Sequence, residues 1–177
     1  MALDIHIQQR PVTHFIGKPI TARRSEFGEP GGVNSMTAGV REWLTEQSLT
    51  PLSGSMHVYR RTGKNTDPID LTVAVPVELP VKPVELPVES KGFVLGSLPA
   101  GEYLVGCHVG SYSGLVESHQ GVLDWAADHK VRLNARKEGD GQVWTARADH
   151  FLRDDDEETD ESKWVTDLLF LLLQEDD

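Results

Sequence analysis

The stretch LPAGEYLVGCHVGSYSGLVESHQGVLDWAADHKV, residues 98–131, decides the fold. Up to Gly110 it reads as strand material. From Ser111 the period changes. Leu115, His119, Val122 and Ala126 fall on one stripe, flanked by Leu123 and Trp125, which predicts an amphipathic helix starting near Ser111. Downstream, QVWTARADHFLR (142–153) and WVTDLLFLLLQ (164–174) both read as strands. The second half of the chain is therefore strand, helix, strand, strand.

The first half has the same order. Ile5 to Ile16 reads as a strand or a pair of strand pieces, followed by the loop GEPGGVN (28–34). Met36, Val40, Trp43, Leu44 and Gln47 then recur at helical spacing, with Asn34 or Ser35 available as a cap and Trp43 assigned to the core. SMHVYRR (55–61) and IDLTVAVPV (69–77) follow as strands. Between the halves, PVELPVKPVELPVES (76–90) repeats a seven-residue phrase whose prolines favour an extended, polyproline-like path. The expectation is one domain over 1–177, with halves 1–77 and 91–174 joined by a Pro-rich segment, 78–90. The fold class is α+β: duplicated βαββ units forming an antiparallel sheet with two helices on one face.

Charge narrows the function. The chain has 177 residues, 17 Lys and Arg against 28 Asp and Glu, and a formal charge of −11. That balance argues against direct binding of nucleic acid and permits a cationic or neutral small ligand, or a basic protein partner. Cys107 is the single cysteine, so no intrachain disulfide forms. The start, MALDIHIQQRPV, lacks a basic region followed by an apolar core, and the run Leu168–Leu173 is too short to span a bilayer. A cytoplasmic monomer with no membrane segment is expected.

Several phrases taken together resemble the GyrI-like small-molecule-binding domain. They are VAVPV at 73–77, LPAGEYLVGCHVGSY at 98–112, VLDWAADHKV at 122–131, and the ending ADHFLRDDDEETDESKWVTDLLFLL. The likeness spans about residues 4 to 173. That family includes effector domains of multidrug-sensing transcription activators and stand-alone proteins. The resemblance implies a ligand cleft between the halves that takes lipophilic, often cationic or aromatic compounds. Some stand-alone members hydrolyse strained cyclopropane-bearing compounds in that cleft, and the founding member acts on DNA gyrase. The chain departs from the family pattern at several positions. Asp149 stands where the family has its pocket Glu, and Phe151 where it has Tyr. Asp155 and Ser111 replace prolines, and Asp167 replaces a Glu.

Strand alternation supplies candidate site residues. Thr145, Arg147, Asp149 and Phe151 are expected on one face, with Trp144, Ala146, Ala148 and His150 on the other. His57 and Tyr59 are cofacial on their own strand. The expected ligand-binding set is Tyr59, His57, Tyr103, Tyr112, Trp125, Asp149 and Phe151. Tyr112 and Trp125 enter because the family lays their helix against its cleft. An aromatic cleft with one carboxylate suits a lipophilic cation. The plain alternative for Asp149 is an ion pair with Arg147, two residues away.

Other chemistry finds no pattern. The seven histidines show no metal-ligand spacing, and there is no phosphate loop or dinucleotide fingerprint. Gly28, Gly31 and Gly32 read as turn residues, and GSYSG (110–114) has Tyr where a nucleophile would stand. No cofactor and no metal are expected. The acidic run DDDEETDE (154–161) reads as a solvated hairpin loop, and Trp164 as a cap on the core edge.

Three functions compete. The first is a stand-alone binding module for sensing or sequestration, since the predicted elements leave no room for a DNA-binding domain. The second is a hydrolase of strained electrophiles with Asp149 as general base. The third is an acidic protein-interaction partner, such as a gyrase modulator.

Overall fold

The computed structural model describes residues 3–64, 67–78 and 92–174. Ten strands and two helices run in the order β1 (Asp4–Arg10), β2 (Thr13–Ala22), α1 (Met36–Glu46), β3 (Met56–Thr62), β4 (Ile69–Pro76), β5 (Val94–Leu98), β6 (Gly101–Val109), α2 (Leu115–Asp128), β7 (Ala135–Glu138), β8 (Gly141–Trp144), β9 (Arg147–Arg153) and β10 (Val165–Leu171). The architecture is α+β, with two βαββ units: β2-α1-β3-β4, and β6-α2-β9-β10 with the hairpin β7–β8 inserted.

All pairing is antiparallel, in the order β1-β6-β10-β9-β3-β4-β2-β5. Each unit places its last strand in the middle, and the units meet where β3 pairs with β9. The remaining strands trade sides. β1 precedes β2 but pairs with β6, and β5 precedes β6 but pairs with β2. Only Pro11 and Val12 separate β1 from β2, and only Pro99 and Ala100 separate β5 from β6. Linkers that short reach roughly 10 Å, so the two ends of the sheet must curl toward each other.

The curl divides the core. Phe15, Met56, Ala74, Leu98, Tyr103, Val105, Ala148 and Leu169 pack together on the inner face. On the opposite face α1 seals Val40, Trp43 and Leu44 against Tyr59, Leu71 and Val73. There α2 seals Leu115, Val122 and Ala126 against Leu104, Leu168 and Phe170. Both helices therefore lie on one face. β10 reads as an unbroken apolar run because Leu168–Leu171 is buried from both sides. Gly106 lets α2 approach: a Cβ there would lie 2.5 Å from Val122 Cγ2.

The segment from Ile5 is a pair of strands, β1 and β2, divided at Pro11 and Val12, and one strand assignment changes. The segment 142–153 is not one strand, because Thr145 leaves the sheet to bond Asn134 through its backbone N–H (3.1 Å) and its hydroxyl (2.7 Å). Trp144 consequently lies against Phe170 and the Arg147 guanidinium, on the helix-bearing face rather than the opposite one. β7 had no expected counterpart. The Pro-rich repeat lies outside the described residues beyond Glu78. Among the described residues no helix is long and apolar enough to cross a membrane.

Candidate functional site

Where the units meet, His57 on β3 stands directly across from Asp149 on β9. Both point to the helix-bearing face, into a cleft of about 470 Å³ that runs between the first turns of α1 and α2. The chain enters β3 through Gly54, pressed so closely on β9 that a Cβ would collide with the Phe151 carbonyl. This contact holds the two central strands together beneath the cleft.

Asp149 is 2% exposed, and both of its oxygens are engaged. The Tyr59 hydroxyl donates to Oδ2 at 2.7 Å, and His119 Nε2 contacts Oδ1 at 2.7 Å. A carboxylate only accepts, so Nε2 of His119 carries the hydrogen. Burial alone would raise the Asp149 pKa, but His119, Tyr59 and Arg147 together outweigh it and bring it down to about 2. Burial, reinforced by the Asp149 charge, pushes the Tyr59 phenol far above its ordinary range. Burial lowers His57 to about 4, so its ring is neutral at pH 7.

Arg147 forms no ion pair with Asp149. Its guanidinium lies over the rings of Trp144 and Phe170, 4.7 Å from each, and 5.3 Å from Tyr59. Its Nε is buried without a partner among the described residues.

A chain of rings lines the cleft. Trp164 stacks on Tyr112 at 4.7 Å, and Tyr112 meets Phe151 edge-on at 5.4 Å. Phe151 meets His57 at 4.8 Å, and His57 meets Phe27 at 6.0 Å. Trp164 thus forms part of the cleft mouth, and its indole N–H donates to the Glu158 carbonyl at 2.8 Å. The acidic loop joins β9 to β10, but its first carboxylates are not simply solvated. Asp154, Asp155 and Asp156 border the cleft, and Asp154 is only 7% exposed. Arg41 on α1 reaches Asp156 at 2.7 Å and Asp154 at 3.5 Å.

Five of the expected ligand-binding residues line the cleft: His57, Tyr59, Tyr112, Asp149 and Phe151. Tyr103 and Trp125 do not. Tyr103 faces the inner side of the curled sheet, where its hydroxyl donates to the Pro99 carbonyl at 2.7 Å. Trp125 stacks on His129 at 3.8 Å. It stands six residues past His119, about 240° around the helix. His119, Arg24, Phe27 and Trp164 were not in the expected set. For His119 the sequence held one signal, a polar residue on the apolar stripe of α2. Arg24 and Phe27 come from irregular chain beside a Gly/Pro loop, where periodicity carries no information. Among the described residues no group of three or more His, Cys, Asp or Glu side chains is placed to hold a metal ion.

No protein-family model and no curated protein sequence matches the chain. Solved structures do. The EcmrR C-terminal domain aligns over 99% of this chain and all of that domain, with TM-score 0.75 at 11% identity. Against EcmrR bound to DNA in EcmrR-RPo, 98% of this chain covers 58% of that one, with TM-score 0.74 and 11% identity. SAV2435 bound to tetraphenylphosphonium aligns over 96% of this chain and 94% of its own, with TM-score 0.54 and 10% identity. A hydrolase encoded by lin2189 from Listeria innocua aligns over 96% and 91%, with TM-score 0.57 and 15% identity. At these identities the likeness establishes the fold alone, one shared with the EcmrR C-terminal domain and SAV2435 and consistent with the GyrI-like resemblance.

Proposed function

We propose that the chain binds lipophilic aromatic cations in the cleft between its two units, in order to sense or sequester them. The observation that carries this reading is the run of rings from Trp164 to Phe27 in a cleft bordered by four carboxylates and by Arg24. Rings supply apolar area and a favourable face for a cation, each contact contributing about 0.5–2 kcal/mol. The cleft volume falls in the usual range for small-molecule sites, about 300–1,000 Å³. SAV2435, of similar fold, is bound to tetraphenylphosphonium, which supports the same ligand class here.

Hydrolysis is less well supported. A general base needs a pKa near the working pH, and donors bonded to its oxygens make it a weaker base. Asp149 has both oxygens hydrogen-bonded and a pKa of about 2.

The test is calorimetric titration with tetraphenylphosphonium, with mass spectrometry of the compound afterwards. Saturable binding of unchanged compound, lost when Ala38→Trp or Val116→Trp fills the cleft, is the expected result. Binding that persists in both variants would move the site elsewhere, and a cyclopropane-bearing electrophile incubated in parallel that gains the mass of one water would make the protein an enzyme.

A further inference from the structure

The charges around the cleft are not evenly spread. At the inner end the carboxylate of Asp149 is opposed by two guanidinium groups. Arg147 lies behind Tyr59, and Arg24 lies 5.4 Å from the Phe27 ring and 6.0 Å from the Tyr59 ring. The two Asp149 oxygens are already taken by Tyr59 and His119. A cation arriving there would meet two fixed positive charges and a carboxylate already engaged by two donors. At the mouth the balance reverses, because among the described residues the carboxylates of Asp154, Asp155 and Asp156 have one ion-pair partner, Arg41. Asp154 and Asp156 share that guanidinium, while the exposed Asp155 carboxylate has no side-chain hydrogen bond or ion pair with a described residue. It stands beside the stacked rings of Tyr112 and Trp164.

A second observation comes from the inner end. His57 is 5% exposed and lines the cleft, yet its ring nitrogens have no hydrogen-bond partner among the described residues. A ring nitrogen that opens to the cleft pairs with water, or with a polar ligand atom that displaces that water.

Building on the binding function proposed above, we propose that the cleft is polarised from end to end. A ligand's cationic group sits at the mouth between the Tyr112–Trp164 stack and Asp155, and its hydrogen-bond acceptor lies inside against His57 and Arg24. Asp149 is then a structural carboxylate that positions Tyr59 and His119, and it is not the counter-ion. The ligand class is an elongated aromatic compound, cationic at one end and carrying a carbonyl, ether or heterocyclic acceptor at the other.

The experiment measures affinity for tetraphenylphosphonium, which reads the mouth, and for an elongated aromatic cation ending in a carbonyl, which reads the inner end as well, in wild type, Asp155→Asn, Asp149→Asn and Tyr59→Phe, each at low and high salt. Asp155→Asn removes an exposed charge and leaves the core intact. Tyr59→Phe frees one Asp149 oxygen, so it reports on that carboxylate even if Asp149→Asn unfolds. The expected result is a loss of about tenfold in Asp155→Asn, with much of the salt dependence gone, as for a screened surface charge. Tyr59→Phe, which bares one Asp149 oxygen, does not tighten binding. Asp155→Asn within about twofold of wild type, or binding tightened in Tyr59→Phe, would overturn the polarised cleft and keep the binding function, as would a carbonyl-bearing compound that binds no more tightly than its analogue without the carbonyl. Absence of saturable binding in wild type would overturn both.

Discussion

His119 of α2 and Asp149 of β9 meet at 2.7 Å, both almost fully buried, and tie the helix of the second unit to the strand where the two units join. A buried carboxylate that loses a donor keeps its desolvation cost without the compensating bond. His119→Ala is therefore expected to lower unfolding free energy by about 1–3 kcal/mol in urea titration. His119→Gln, which can still offer an N–H, should recover part of that loss. An unchanged midpoint in the Ala variant would mean that the bond contributes nothing net.

The histidines set the acid response. His57 and His150 are each lowered by burial to about 4, against an unfolded value near 6.5. The unfolded chain therefore takes up their protons first. Their contribution is complete above about pH 6.5 and declines as pH falls toward 4. Near pH 5 unfolding should take up close to two protons, a slope of about 2.5 kcal/mol per pH unit. Denaturant midpoints measured from pH 7 to 4 check this, and His57→Asn/His150→Asn should flatten the curve.

Asp149 works in a lower window. Its folded pKa, about 2, lies below the unfolded value near 3.9. Its contribution is present above about pH 4 and is lost as pH falls through 2. In Asp149→Asn that last acid transition should disappear while the histidine-dependent decline above pH 4 remains.

Tyr112 and Trp164 form the outer rings of the cleft. Trp164→Ala removes the stack and one bond to the Glu158 carbonyl. Affinity for an aromatic cation is expected to fall about three- to tenfold, from the loss of one ring contact. Trp125→Ala, on the far side of α2, should leave affinity unchanged.

Gly106 lies where α2 packs on β6. Gly106→Ala places a methyl group 2.5 Å from Val122 Cγ2, and overpacking of that kind costs about 1–3 kcal/mol. Adding Val122→Ala should restore part of the loss in thermal melts.

Much of this architecture was legible in apolar periodicity. The stripes of α1 and α2 marked the faces that are buried, and alternation put Arg147, Asp149 and Phe151 on one face, which the structure shows to be the helix-bearing one. The breaks were not legible. Thr145 leaves the sheet because Asn134, eleven residues earlier, offers it two hydrogen bonds, and no local pattern announces that partner. The site was legible only in part. Asp149 and Phe151 stood out by alternation and family likeness, whereas the donors that fix Asp149 come from distant segments. The acidic run looked like solvent-facing chain because composition reports charge and not direction. Arg41, on α1, draws two of its carboxylates to the edge of the cleft.

The exchanged strands β1 and β5 make the two units mutually dependent. A cut within residues 79–91 would leave one piece owning the strand that completes the other, and the reverse. Each piece alone would expose the unsatisfied side of β2 or β6, with its apolar inner residues open to water. Mixed together, the pieces should assemble one-to-one into the uncut structure, and each should aggregate or remain unfolded when kept apart. Such a protein folds as a single cooperative unit even though its sequence divides in the middle, because neither half can finish its own sheet.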